Sequence, residues 1–303
     1  MAGIFARLKL RLIRNGLRSS QYAILFGIGA VGAGVLALVG FTTLAALRND
    51  SVAPDATVVI FGGITLAWTV IPLLGFGTDE TLDPQRLALL PLRRSQLLRG
   101  LLVAALLGVA PIATLIALSG AIVGLPQSLA GAMLVSAAVV ATLLFCIITS
   151  RALISLLAPL LRSRRGRDLM VMVVALAAFV PQSFRLFNAN SGTGNTDRAF
   201  AEIAQRIRYT PIGIGGFAAS EAGRDHFLAA AAALGALIGL IAFAYLIWSW
   251  AMPSALVTAD ISQRESKHRR GAVLFPRALP FLPRNRTGAI AAKELRYFAR
   301  DPR

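Results

Sequence analysis

The sequence has little charge and almost no cysteine for its length. Asp, Glu, Lys and Arg make up 15% of the 303 residues, against about 25% in soluble globular proteins. The single cysteine, Cys146, excludes an internal disulfide and any metal site built from several cysteines. The apolar content of 56% excludes a disordered chain. A nucleic-acid-binding domain with this net charge of +17 would have far more polar surface, so no nucleic-acid partner is expected.

Sequence motifs of ATP binding and of catalysis are also missing. No G-x-x-x-x-G-K-[ST] phosphate loop occurs, and none of the three lysines, Lys9, Lys267 and Lys293, lies in a glycine-rich setting. No G-x-S-x-G nucleophile motif occurs either. We therefore predict no catalytic, cofactor-binding or metal-binding residue in this chain, which is not expected to be an enzyme by itself. Any ATP hydrolysis has to come from another subunit.

Six segments are long and apolar enough to cross a membrane, which takes roughly 20 residues. None contains Asp or Glu, and the one arginine among them, Arg185, lies near the end of the fifth. A charge at the centre of a membrane helix costs about 3 kcal/mol, so this composition favours spanning helices. We predict an all-α polytopic membrane protein whose six spans cover about residues 22–47, 56–76, 100–124, 129–150, 169–187 and 226–252.

The basic residues predict how these spans are oriented. An even number of spans places both termini on one side, and that side holds all the basic residues but six, which are Arg48, Arg185, Arg198, Arg206, Arg208 and Arg224. Loops rich in Lys and Arg stay in the cytoplasm, so both termini are predicted to be cytoplasmic. In residues 1–21 apolar side chains recur every three or four positions among basic ones, which predicts an amphipathic helix on the bilayer surface. A basic flank that only orients the first span is the alternative.

The loop after the second span has an unusual acidic start. Asp79, Glu80 and Asp83 are three of only 14 acidic residues in the chain. Pro84 suits the first position of a short helix, which would end before Pro91. A loop that only returns the chain needs none of these features, so the segment is predicted to contact another protein. A solvated loop is the alternative.

The connection between the fifth and sixth spans contains a second distinctive segment. Residues 198–208 are predicted to form a short helix. Residues 209–220 are apolar and rich in Pro and Gly, but twelve residues are too few to span. A re-entrant or interfacial hairpin that seals or lines a pathway is the physical option, with an ordinary surface loop as the alternative.

Within the spans, small residues and prolines are the main features. Four glycines are predicted to allow close helix packing, Gly27, Gly34, Gly235 and Gly239. Pro72 and Pro111 are predicted to kink the second and third spans. No Asp, Glu or Lys lies inside a span to bind a coupling ion, which argues against an ion-coupled transporter.

Three segments point to a family. They read L-K-L-R-L-I-R-N-G-L-R at 8–18, D-E-T-L-D-P-Q-R-L-A-L-L-P-L at 79–92 and T-P-I-G-I-G-G-F at 210–217. Together with the layout of the spans, they resemble the permease subunit of ABC-2 type transporters, and more narrowly an actinobacterial group of such permeases. The resemblance implies a protein of the bacterial plasma membrane that exports a hydrophobic or amphipathic substrate. ATP and Mg would be bound by a separate ATPase subunit.

The resemblance also implies roles for individual residues. The first segment would be the connecting helix, and 79–94 the coupling helix that the ATPase subunit holds, through Asp79, Glu80, Leu82, Asp83, Pro84, Arg86, Leu87, Leu90, Arg93 and Arg94. An outer gate would be formed by Pro211, Gly213, Gly215, Gly216 and Phe217. Residues 292–303 are similar to the basic N-terminal segment, so the basic tail 253–303 is either a linker to a second half or the end of a chain that pairs with a second permease copy. A non-transporting scaffold or a lipid-modifying enzyme is the alternative function.

Overall fold

A computed structural model describes residues 2–16, 20–46, 52–74, 94–161 and 196–269. These residues are almost entirely helical. The helices are α1 (Ala2–Gly16), α2 (Ser20–Ala46), α3 (Ala53–Leu74), α4 (Arg94–Leu106), α5 (Val109–Gly124), α6 (Leu129–Leu161), α7 (Thr196–Ile207), α8 (Ile214–Gly223) and α9 (Phe227–Arg269). The all-α class predicted from the sequence is confirmed for the described part of the chain.

Among the described residues, four helices are long and apolar enough to cross a membrane. Their spanning portions are Phe26–Ala46, Ala53–Pro72, Leu129–Leu157 and Phe227–Met252, and they match the predicted first, second, fourth and sixth spans. The pair formed by α4 and α5 brings the number to five if it counts as one span. The predicted fifth span, 169–187, lies outside the described residues.

The predicted third span, 100–124, is bent next to Pro111, where the sequence predicted a kink. Helices α4 and α5 meet at an angle of 63°. Gly108 precedes α5 in an extended conformation, and Pro111 lies in the first turn of that helix. Because a proline ring clashes with the backbone of the preceding turn and has no N–H to donate, the helix breaks just before it. By contrast, Pro72 lies inside α3, which continues to Leu74.

Helices α2 and α5 form the most extensive contact among the described helices, and they run parallel. A Cβ on Gly40 would lie 2.8 Å from the Cβ of Ala117, and one on Gly124 would lie 2.1 Å from the carbonyl oxygen of Leu44. The residue numbers of the contacting pairs increase in the same direction along both helices, from Gly40 with Ala117 to Leu44 with Gly124. A parallel pair is what the first and third spans of an alternating chain would form.

Helix α1 packs on α4. A helix is present where the sequence predicted one, and Arg7, Arg11 and Arg14 are exposed. Its position on the bilayer surface stays a prediction. Lys9 differs from these three arginines, because it is only 4% exposed and has an interaction partner. The apolar side chains Leu8 and Leu10 are exposed instead, where a membrane surface would cover them.

The chain divides into two compact units, Met1–Leu256 and Val257–Arg303. In the first, the largest apolar core includes Leu44, Phe61, Leu118, Val139 and Leu237. The second unit contains the last turns of α9, which continues through Pro253 to Arg269. Residues 75–93, with all of the predicted coupling helix except Arg94, and residues 270–303 lie outside the described part.

Candidate functional site: a helical hairpin inside the bundle

Helices α7 and α8 form a hairpin whose turn, residues 208–213, is held by its own backbone. The Oγ1 and N atoms of Thr210 both donate to the carbonyl oxygen of Ile207, at 2.6 and 2.8 Å. The carbonyl oxygen of Thr210 then accepts from Gly213 N at 3.1 Å and from Ile214 N at 3.0 Å, which starts α8. The turn therefore pairs several of its polar backbone groups internally, which lowers the cost of placing it away from water.

Helix α8 lies between α3 and α6, and two glycines allow the close approach. A Cβ on Gly216 would lie 2.7 Å from Val58 Cα and 2.9 Å from the carbonyl oxygen of Thr57. A Cβ on Gly215 would lie 2.2 Å from Thr142 Oγ1. Any larger residue at either position would overlap a neighbour, so the glycines fix how deeply the hairpin enters the bundle.

The depth at which the hairpin turn lies in the bundle can be read from its contacts with two helices, α3 and α6. On α3, a Cβ at Gly62 would lie 2.9 Å from Ile207 Cδ1, and Gly62 is at the midpoint of the spanning portion Ala53–Pro72. On α6, Thr142 touches Gly215 and is one residue from the midpoint of Leu129–Leu157. The hairpin turn thus lies halfway along both spanning portions, about 15 Å from either face of the hydrocarbon if they cross a bilayer.

The opposite end of α8 is anchored at the α5–α6 turn, and we call this end of the bundle the distal end. A Cβ on Gly223 would lie 2.7 Å from the Cβ of Leu125. Ser128 caps α6, where Gly131 N donates to its Oγ at 3.0 Å, and its hydroxyl donates in turn to the Asp225 carboxylate. Because α8 has ten residues and is about 15 Å long, it leads from mid-depth to the distal end.

Helix α7 is amphipathic and packs on α3 with its apolar face. Ala204 is buried, and Ile203 and Ile207 are half-buried. The other face exposes Arg198, Glu202, Gln205 and Arg206. Arg206 Nη2 lies 2.7 Å from Glu202 Oε1, so this ion pair leaves no net charge at those two positions. The helix predicted at 198–208 is confirmed within two residues at its start.

The turn of the hairpin carries a cation beside an aromatic pair. The Arg208 guanidinium lies 4.8 Å from the ring centroid of Tyr209, which makes an edge contact with Phe217 at 5.3 Å between centroids. Arg208 Nε is buried and has no hydrogen-bond partner in the described structure. Tyr209 is 68% exposed and Arg208 is half-buried, so the ring lies at the accessible tip of the hairpin with the cation beside it.

The five residues of the predicted outer gate lie together in this turn and in the first residues of α8. Pro211 is exposed in the turn, Gly213 and the next two glycines are buried, and Phe217 is half-buried against Tyr209. Their gating role stays a prediction.

The four glycines predicted to pack helices have open surroundings. A Cβ added at any of Gly27, Gly34, Gly235 and Gly239 would meet no atom within 4 Å in the part of the chain that the structure describes. The glycines that do bring helices together within the chain are others, such as Gly40, Gly120 and Gly216. The packing predicted for the first four stays a prediction about a contact beyond the described residues.

Sequence reasoning did not identify Ser128, Asp225, Thr142 or Arg208 as parts of one region. Asp225 is 97 residues from Ser128, and Thr142 is 73 residues from Gly215, so no local pattern relates them. A usable signal existed for Arg208 alone. It directly precedes the apolar segment that is too short to span, where a charge is costly without a function.

The chain matches no protein-family model, no curated protein sequence and no solved structure. The functional conclusion therefore depends on the geometry and on the residues themselves.

Proposed function

We propose that the chain is the transmembrane permease subunit of an ATP-binding cassette transporter, exporting a hydrophobic or amphipathic substrate. A separate ATPase subunit binds ATP and Mg and acts on the permease through the segment 79–94. A second permease copy or half completes the pathway. The protein resides in the bacterial plasma membrane with both termini in the cytoplasm.

The observation that carries the proposal is the hairpin of α7 and α8, which reaches the midpoint of two spanning helices. The apolar surface of the spanning helices is enough to anchor a protein in a bilayer. A non-transporting scaffold would therefore not need a hairpin that enters the bundle to half its depth and carries a polar face. Irregular backbone at this depth is stable only against protein or water, which is the situation of a transport pathway. A hairpin held between α3 and α6 would also move when those two helices move.

The chemistry of the segment 79–94 supports an intracellular partner. Its apolar residues, Leu82, Leu87 and Leu90, are available for burial, and its rim carries Asp79, Glu80, Arg93 and Arg94. An apolar centre with a charged rim is the usual composition of a protein interface. Glu and Asp are rare elsewhere in the chain, so this segment is the best candidate for electrostatic pairing with an ATPase subunit.

Co-purification tests the proposal. The tagged permease is co-expressed with phosphate-loop ATPase subunits encoded next to its gene, and the retained ATPase is measured. We expect a complex with the wild-type chain. The double substitution Asp83→Arg and Leu87→Arg should lower the retained ATPase at least tenfold, because it places two charges in the interface, and ~1.4 kcal/mol already gives tenfold.

The matched control is Glu202→Arg, which adds a similar charge on α7, away from the segment 79–94. It should leave the association unchanged. Retention of the ATPase by the double variant would show that the coupling assignment is wrong. Failure of the wild-type chain to bind any such ATPase would contradict the permease function itself.

A further inference from the structure

The polar face of α7 cannot face hydrocarbon. Ile207 lies at the midpoint of α3, and Gln205 and Arg206 are within two residues of it. Because Cα atoms two residues apart in a helix are about 5 Å from each other, both lie within about 5 Å of that depth in whichever direction α7 runs. Both side chains are exposed. Since a charge at the bilayer centre costs about 3 kcal/mol, this face must border water or protein polar groups rather than lipid tails.

Arg208 is the charge on this hairpin tip that has no acidic partner within the described structure. The arginine two residues before it is neutralised by Glu202. At the distal end Glu221 lies 2.8 Å from His226 and 3.8 Å from Arg224. Arg208 instead contacts the Tyr209 ring, and its buried Nε has no acceptor. A half-buried guanidinium with no acidic partner can bind an anionic oxygen through its remaining N–H groups.

The exposed residues that follow this cation in the turn are mostly apolar. Tyr209, Pro211 and Ile212 are exposed, although they lie at mid-depth. A ligand that satisfies both features has an anionic group for Arg208 and an apolar part for its neighbours. A small polar anion would satisfy the first feature only.

We infer that the hairpin tip is a binding site for the anionic headgroup of an amphipathic molecule, with Arg208 as the binding cation and Tyr209 and Ile212 as apolar contacts. The inference builds on the proposed transport function, because it names the charge class of the cargo. The polar face of α7 is then one wall of an aqueous path that leads to this site.

Thiol labelling measures the charge preference of the tip directly. In a Cys146→Ala background, Gln205→Cys places a reporter on the polar face of α7, and the full chain is studied in phosphatidylcholine nanodiscs. Anionic and cationic methanethiosulfonates of similar size should both react, the anionic one preferentially. Arg208→Gln should lower the ratio of anionic to cationic rate constants about tenfold, since a unit charge nearby acts oppositely on the two reagents.

Matched variants separate charge from folding. Arg208→Lys should keep the ratio within about twofold, and so should Arg198→Gln, which is seven residues and about 10 Å from the reporter. Should Arg208→Gln not yield folded protein, Arg208→Met keeps the packing of the side-chain stem and tests the same charge. Ala204→Cys, on the buried face, should react with neither reagent.

A competition distinguishes an amphiphile from a free anion. Adding phosphatidylglycerol to the nanodiscs should slow the labelling of Gln205→Cys at least fivefold, and Arg208→Gln should abolish that protection. Equal protection by inorganic phosphate would overturn the amphiphile assignment. A reporter that no reagent reaches, or a ratio that Arg208→Gln leaves unchanged, would overturn the site, whereas loss of ATPase co-purification concerns only the transport function.

Discussion

Glycines of this chain have two distinct environments that their sequence context does not reveal. Gly235 and Gly239 have the spacing typical of helix packing, yet a Cβ at either would meet no atom of the described residues within 4 Å. Gly216, which belongs to no such pattern, lies against the backbone of Thr57 and Val58. The sequence identifies small residues on helices, but which of them faces a neighbour depends on how the helices are rotated.

Substituting Gly216 and Gly235 by alanine should therefore have opposite effects. Gly216→Ala should lower the free energy of unfolding by about 2 kcal/mol or more, because the new methyl group meets backbone that cannot move alone. Gly235→Ala should leave it unchanged or raise it by up to about 1 kcal/mol, since alanine favours a helix. The buried Cys146, 2% exposed, provides the measurement, because a thiol-reactive dye reaches it only on unfolding.

Equal unfolding temperatures for the two alanine variants would contradict the close contact of α8 with α3. Gly239→Ala serves as a second reference, because its surroundings are equally open.

At the distal end, a hydrogen bond joins the residues that lie at the ends of neighbouring helices. Ser128 caps α6 and also donates to Asp225, which precedes α9 and has a φ of 61°. Asp tolerates this left-handed conformation better than most residues. A single hydroxyl thus ties the α5–α6 turn to the end of the hairpin, and α8 is held at both of its ends.

A double-mutant cycle should detect this connection. Ser128→Ala and Asp225→Ala should each destabilise the protein, and their coupling energy should be about 1.5 kcal/mol or more, as for hydrogen bonds to charged groups. The backbone cost of alanine at a positive φ appears in both arms of the cycle and cancels. Unfolding is followed by the reactivity of Cys146.

Ser119→Ala is the matched control, because its Oγ donates only to Ile116 in its own helix. It should show no coupling to Asp225→Ala. Additive effects of Ser128→Ala and Asp225→Ala would contradict the connection.

Element boundaries were predictable where local chemistry sets them. The helix expected at 198–208 is found at Thr196–Ile207, because its apolar residues recur at helical spacing and Pro211 follows its end. The break before α5 was foreseeable from Pro111. The angle of 63° between α4 and α5 could not be predicted, because the angle depends on what α4 packs against.

At the scale of the whole molecule, the charge distribution and the helix arrangement point to the same orientation. Arg99 and Arg151 lie at one end of the bundle, close to the apolar cluster around Trp248. Arg224 lies at the distal end, near the α5–α6 turn. The excess of basic residues predicts that the first end faces the cytoplasm and the distal end faces outwards.

Cysteine accessibility in cells tests this orientation. In the Cys146→Ala background, Arg224→Cys should react with a membrane-impermeant maleimide in intact cells. Arg99→Cys, which replaces another exposed arginine, should react only after the membrane is permeabilised. The reverse pattern would show that the bundle is inverted, and labelling of both in intact cells would contradict the alternation of spans.

The sequence by itself determined that the chain is helical and where its long apolar helices lie, because both properties depend on local composition and spacing. It also determined that residues 209–220 are too short to span. Only the tertiary structure decided that this segment enters the bundle to mid-depth, and that Gly62 and Thr142 contact it there. These are contacts between residues far apart in the chain, and they depend on the rotation and depth of each helix. The placement of Arg208 follows from them, and it turns a loop charge into a candidate binding group.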